Sequence, residues 1–251
     1  MARDLLFRRF VELSISESVP DHSTFWRFRN KLEDKGLLED LLNEINNQLA
    51  DKGLIVRTGE VSIIDASVIE ANQNRPKKDK HGNNTQDPEA AYNVKQGSDG
   101  KRKTTYGFKV HANVDEDGFI KTYAYTAGNV HDSQVFEELL TGHEKSVYAD
   151  SAYKSQKHDE LLVSKGILNK VLKRAYRNNP LSEDQKKFNR LASGVRCTVE
   201  RVFGTLKLHY GMSKARYLGL SRNRIRFGLM SLAHNLKRGA GMNRSLIQAA
   251  G

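Results

Sequence analysis

"EVSIIDASVIEA", residues 60–71, puts an acid, Asp65, inside a run that is otherwise apolar and β-branched. Val61, Ile63, Ile64, Val68 and Ile69 predict a buried strand. A carboxylate in such a run is costly unless it has a charged partner, a hydrogen-bond network or a metal. "SVYADSAY", residues 146–153, repeats the arrangement: a second apolar run broken by an acid, Asp150. Either acid alone is equally well explained as a strand-end residue capping a turn. The pair raises the question of a third.

The sequence around these two strands alternates in type. Residues 1–57 read as helices, with Asp21 or Ser23 as a cap, Gly36 as a stop and "LLEDLLNEINNQL" as an amphipathic helix. Phe25, Trp26 and Phe28 sit at a spacing more typical of core than of base recognition. Residues 72–104 are polar and basic and read as a loop-like insertion. "TTYGFKVHANVDEDGFIKTYAYTAGNV" predicts a hairpin turned at "DEDG", with Lys109 and His111 on one strand face. "HDSQVFEELL" predicts a short helix, "SQKHDELLVSKG" a helix stopped by Gly166, and "ILNKVLKRAY" a further strand. From about residue 181 the pattern is helical. The fold class is therefore α/β, a mixed sheet flanked by helices. It divides into a helical region (1–57), a main domain (58–238) and a short tail (239–251).

Composition narrows the partners. Lys plus Arg total 41 against 30 Asp plus Glu, a net charge of +11. From Arg190 to Arg238 eleven basic residues face a single acid, Glu200. Such a stretch suits a polyanion, and nucleic acid is the usual one. No apolar run is long enough to span a bilayer. The single cysteine, Cys197, excludes an intrachain disulfide and a Cys-rich zinc module, and a reducing cytoplasm is the simplest setting.

Glu200 belongs to "RCTVERVFGTLK", residues 196–207. At about 100° per residue, Glu200 and Lys207 lie within about 40° of Arg196 on a helix, and Phe203, Val199 and Leu206 lie just to the other side. The charges thus flank the packed stripe instead of opposing it. Arg196 and Glu200 are also an i,i+4 pair, so an ordinary helix ion pair is the simpler reading. Three carboxylates, Asp65, Asp150 and Glu200, are hard oxygen donors suited to magnesium or manganese.

"IDASVIEA", "YGFKVH" with "AGNVHDS", "YADSAY" and "RCTVERVFGTLK" together resemble a bacterial insertion-sequence transposase of the DDE class, in the insertion-sequence-five group. The last motif of that family runs Y-x2-R-x3-E-x6-K; Arg196, Glu200 and Lys207 fit it, and Ser193 stands at the Tyr position. The resemblance spans about residues 3–238. It implies an RNase H-like core and cut-and-paste movement of an insertion sequence. It also implies catalytic and metal-binding roles for Asp65, Asp150 and Glu200, with two Mg2+ or Mn2+ ions. Arg196, Lys207, Lys109, His111 and Arg201 become candidate DNA contacts. His131 and Asp132 become candidates for the layer behind the acids, with helix capping an equal alternative for Asp132. The implied partners are double-stranded DNA (terminal inverted repeats and target) and a second copy of the chain, working at the bacterial nucleoid. In that family more helical sequence precedes "LLFRRFVEL", so a chain shortened at this end, or one that binds DNA without chemistry, is the alternative.

Overall fold

Ile63 and Ile64 are adjacent in sequence and both fully buried, which requires a sheet covered on both faces. The computed structural model describes residues 4–53, 60–72, 78–82, 86–96, 100–176 and 179–249. They form two units, residues 1–37 and 38–251.

The first unit carries α1 (Leu5–Phe10) and α2 (His22–Asp34). Asp4 caps α1 and Asp21 caps α2 through its carboxylate and the Thr24 N–H. The Arg8 guanidinium gathers the carbonyls of Ser14, Ile15 and Glu17 and so fixes the connecting loop. Phe25, Trp26 and Phe28 are exposed, contrary to the core role their spacing suggests. The turns of α2 present them alongside charged residues, and α2 has no buried residue.

In the second unit, α3 (Leu37–Asp51) precedes β1 (Val61–Glu70). Next come β2 (Ala91–Gln96), β3 (Arg102–Val114) and β4 (Ile120–Ala127). β5 (Ser146–Ala149), α4 (Gln156–Ser164) and β6 (Leu168–Asn169) follow, then α5 (Glu183–His209) and α6 (Leu220–Ala249). β1 lies between β3, antiparallel, and β5, parallel. β4 pairs with β3, and β6 continues the parallel side beyond β5. This is an α/β fold of the RNase H-like kind, a mixed sheet flanked by helices.

Strand alternation sorts the core. Ile63 and Ile69 join Phe108, Val110, Val199, Leu206 and Phe227 on the face covered by α5 and α6. Ile64 joins Val147, Ala149, Phe136, Tyr153 and Leu162 on the other. Helix α3, grouped by sequence with the N-terminal helices, packs here through Leu42. Asn46 and Asn235 seal that join. Asn235 Nδ2 donates to Asn46 Oδ1 (2.7 Å) and to the Ile120 carbonyl (2.8 Å), while its Oδ1 accepts the Ile120 N–H (3.0 Å). Residues 239–249 of the segment read as a tail continue α6, and residues 250–251 lie outside the described residues.

Three expectations change. Residues 91–96 and 102–104, read as insertion loop, are strands: β2 pairs with the first half of β3, from Ala91 opposite Gly107 to Gln96 opposite Arg102. One face of the ribbon is polar, with Asn93, Lys95, Lys103 and Thr105, and the other sets Tyr92, Val94 and Tyr106 among Gln96, Arg102 and Thr104, an alternation too short to stand out in a polar, basic stretch. Residues 73–77, 83–85 and 97–99 of that insertion lie outside the described residues. "HDSQVFEELL" forms only a 3-10 turn, Asp132–Val135. "ILNKVLKRAY" contributes two strand residues, Leu168–Asn169, because β6 is the sheet edge beside a four-residue β5.

The β3–β4 hairpin turns as its sequence requires. Gly118 adopts φ +81°, open to glycine at little cost, and Asp115 accepts the Phe119 N–H at 2.8 Å. Burial pushes the Asp115 carboxyl up to about 6. Its neutral form therefore favours the fold, and that contribution fades as pH rises from about 4 through about 6. Asp115→Asn keeps the acceptor without the titration. The wild type should lose on the order of 2 kcal/mol relative to this variant between pH 4 and pH 7 in denaturant unfolding; a difference that stays constant with pH would refute the assignment. Asn235→Ala strands the Asn46 and Ile120 polar groups and should cost about 3 kcal/mol in the same assay at pH 7.

Candidate active site

Asp65 occupies the middle of β1, and Asp150 follows the last residue of β5. The parallel register pairs Ile64 with Ala149, so Asp65 and Asp150 occupy the next step on adjoining strands. By alternation Asp65 shares the face of Ile63, and Asp150 that of Tyr148, both packed on the α5 side. The two acids therefore leave the sheet toward α5.

Helix α5 starts at a capping box: Ser182 Oγ accepts the Gln185 N–H, and Gln185 Oε1 accepts the Ser182 N–H. It buries Val199, Val202, Phe203 and Leu206 against the sheet. Arg196 is also buried, and its Nη2 donates to Asp65 Oδ2 at 3.1 Å. The i,i+4 pairing with Glu200 expected on the helix surface gives way to this cross-element ion pair. A carboxylate facing a buried helix stripe needs a cation more than an exposed Glu does.

Asp65 also accepts the Ala66 N–H at 2.8 Å. Burial nevertheless holds its carboxyl above the ordinary range, opposed by Arg196 and reinforced by the negative charges of Asp150 and Glu200. Asp150 accepts the Ser151 N–H at 2.6 Å and caps the short turn Ser151–Tyr153. The capping role thus holds for Asp150, alongside its position beside Asp65. Glu200 is exposed. It lines, with Asp65, a cleft of about 530 Å³ that also takes in Phe203, Gly204 and Lys207.

Among the described residues no three His, Cys, Asp or Glu side chains converge as a metal-holding group. The donor chemistry still fits a hard divalent cation. Asp65 feels two neighbouring carboxylates as like charges, and a cation between them relieves that repulsion. For Asp65 to serve, the Arg196 contact has to loosen.

Other sequence candidates fall in different places. Lys207 is half-buried in the cleft. Arg201 is exposed and folds back on its own helix, to the Cys197 carbonyl and Thr198 Oγ1. Lys109 and His111, expected on a wet strand face, are buried, because the turn after β4 covers them. The Lys109 ammonium sits between Asp132 Oδ1 (2.9 Å) and the Val130 carbonyl (2.8 Å). His111 donates to or accepts from Thr126 Oγ1 at 3.0 Å, and burial pulls its imidazole down to about 4. These two residues brace the loop. His131, not Asp132, caps the 3-10 turn; its Nδ1 accepts the Ser133 N–H. Ser193, at the family's Tyr position, is half-buried on α5.

One group was not legible in advance. The Tyr153 hydroxyl is buried without a hydrogen-bond partner. Burial, then the charges of Asp132 and Asp65, push it well above its ordinary range. It thus feels the charges of both the Asp132 loop and the acids. The only sequence signal was its place three residues after Asp150. Gly107 and Gly128 have a clearer reason. A Cβ at Gly107 would meet the Ile69 carbonyl at 2.0 Å, and one at Gly128 the Ala91 carbonyl at 2.6 Å. Both glycines of "YGFKVH" and "AGNVHDS" let β1, β2 and β4 crowd β3.

An RNase H-like sheet with acids on two adjoining inner strands, Asp65 within β1 and Asp150 just past β5, under a basic helix defines a class of nucleic-acid phosphoryl-transfer fold. Comparison with known families agrees: the family described as "Transposase DDE domain" matches residues 57–236, and a second, described as "Transposase domain", matches residues 1–31. The transposase for insertion sequence element IS1106 of Neisseria meningitidis serogroup B is 31% identical over 228 residues, 86% of this chain and 77% of that protein. No solved structure matches. The chain belongs to the insertion-sequence DDE transposases, enzymes that cleave DNA and transfer its strands, a family that generally depends on divalent metal.

Arg196→Ala removes the one cation on Asp65. The Asp65 carboxyl should titrate higher still in a carbon-detected NMR titration, and unfolding should cost about 2 kcal/mol less. An unmoved Asp65 titration would show that the ion pair does not form in solution.

Proposed function

We propose that Asp65, Asp150 and Glu200 are the catalytic and metal-binding acids of a cut-and-paste transposase acting on the terminal inverted repeats of its own insertion sequence. The observation that carries this reading is the convergence of Asp65 and Asp150 on one sheet face beneath α5, with Asp65 and Glu200 sharing a cleft. The charge and donor type of the three acids suit Mg2+ or Mn2+, and two ions are proposed. Bound there, divalent ions would supply positive charge to the scissile phosphate and make water a better nucleophile.

The protein's own groups have separable tasks. Asp65 is pre-positioned in its strand and its charge is held in check by Arg196. Arg196 is aimed at the same point and keeps an unpartnered buried Nε, so its fork can turn from Asp65 to a phosphate oxygen as the substrate arrives. Lys207, two turns beyond Glu200, supplies a point charge to the flanking backbone. Tyr153 and Asp132 support the acids from behind. Cleavage breaks the bond from phosphorus to the 3′ oxygen; the water oxygen joins phosphorus, and its proton ends on the freed 3′-hydroxyl. That hydroxyl then attacks a target phosphodiester, releasing a target 3′-hydroxyl in exchange. Joining two ends calls for at least two active sites, hence a homodimer on DNA. Among the described residues no helix is long and apolar enough to cross a membrane.

The Asp65–Arg196 contact also favours a second reading, a transposase-derived protein that binds DNA without cutting it. Cleavage of DNA bearing the element's terminal repeats, with added Mg2+ or Mn2+, separates the two. Glu200→Gln should lower cleavage by about 100- to 1000-fold while leaving binding intact. Binding by the wild type with no cleavage in either metal supports the second reading.

A further inference from the structure

Lys95 on β2 and Lys103 on β3 stand directly opposite each other in the antiparallel ribbon. Like charges at such a pair destabilise it. Both are exposed, and both line the cleft that holds Asp65, Glu200 and Lys207. Lys207 reaches that cleft from α5, a separate element. Burial pulls its ammonium below the usual lysine range, and the charges of Lys95 and Lys103 pull it further. Three ammonium groups from three elements thus converge, and among the described residues none of them has a carboxylate partner. Glu70 lines the same cleft and pairs with none of them. Asn93 and Thr105 share the ribbon face with the lysines by strand alternation and line the cleft beside them. A fold that keeps an unneutralised triad in a cleft of this size carries an electrostatic cost in the free protein that an anion removes.

We infer that Lys95, Lys103 and Lys207 form a binding site for the phosphodiester backbone of the DNA strand being cut, in the cleft that Asp65 and Glu200 also line. The inference rests on the transposase reading above and extends it to the β2–β3 ribbon. Along α5, Lys207 lies seven residues past Glu200, about 10 Å. At about 3.4 Å of rise per nucleotide, the lysines would hold phosphates about three steps from the scissile one. Their contacts are to backbone alone, so they would set position and register with no preference for sequence.

The test uses the full chain, with two probes: a DNA duplex of mixed sequence, and inorganic phosphate alone. Each phosphate contact adds about 0.9 to the slope of log affinity against log salt. The double variant Lys95→Gln/Lys103→Gln should therefore lose about 2 from that slope, uniformly across duplex sequences. Inorganic phosphate should raise the melting temperature of the wild type and not of the variant. Without ligand the variant should melt no lower than the wild type, because a repulsion has been removed. Lys95→Arg/Lys103→Arg should restore the slope. Equal slopes and equal phosphate responses in wild type and double variant overturn the inference, whether or not the protein cuts DNA. A wild type that responds to phosphate through these lysines but binds no duplex leaves the anion site standing and sinks the DNA reading.

Discussion

The ion pair between Asp65 and Arg196 joins the central strand β1 to the covering helix α5, and much of the second unit is arranged around the need to make it. A carboxylate facing a buried helix stripe cannot be left to water. Its cost is met by a more deeply buried guanidinium, reached across the join between β1 and α5. The pairing fixes how α5 is rotated. With Arg196 on Asp65, Val199, Val202 and Leu206 turn into the core, and Glu200 and Lys207 turn into the cleft. Burial and chemistry are thereby set by one contact.

That contact also explains a tension in the site. The acids repel one another, and the structure resolves this with an internal cation placed on Asp65. A cation that is part of the chain can leave only as far as its side chain reaches. Exchange of Arg196 for another positive charge therefore needs no movement of β1 or α5. The supports behind it are of a different kind. Buried Lys109 and His111 with partly buried Asp132 form a polar set that holds the turn after β4 against β3, and the Tyr153 hydroxyl feels the charges of Asp132 and of the acids alike.

The sequence disclosed the parts of the fold that depend on local pattern. Two apolar runs, each broken by an acid, marked the two inner strands, and helical angles placed Arg196, Glu200 and Lys207 on one margin of α5. What it hid depends on pairing. The ribbon of β2 with the start of β3 has one short mixed face, Tyr92, Val94 and Tyr106 among Gln96, Arg102 and Thr104, so its periodicity is faint. The burial of Lys109 and His111 follows from a turn that folds over them, which strand alternation alone does not reveal. The exchange of Arg196 from its helix neighbour Glu200 to Asp65, 131 residues away, is a tertiary choice that an i,i+4 rule cannot see. The α3 helix likewise joins the sheet unit because its Asn46 and Leu42 find partners there, and an amphipathic pattern does not say which surface it will meet.

β3 is one unbroken strand of 13 residues. Its second half is the middle of the buried sheet, and its first half is the wall of the cleft. Glycine at position 107 marks the point where the neighbouring backbones come too close for any side chain. Beyond Gly107 that wall is held by β2 alone, from Tyr92 to Gln96, while the same strand behind it is gripped by β1 and β4. The cleft thus has a wall whose register is inherited from the core strand it extends, so the spacing of the groups along it is decided when the chain folds.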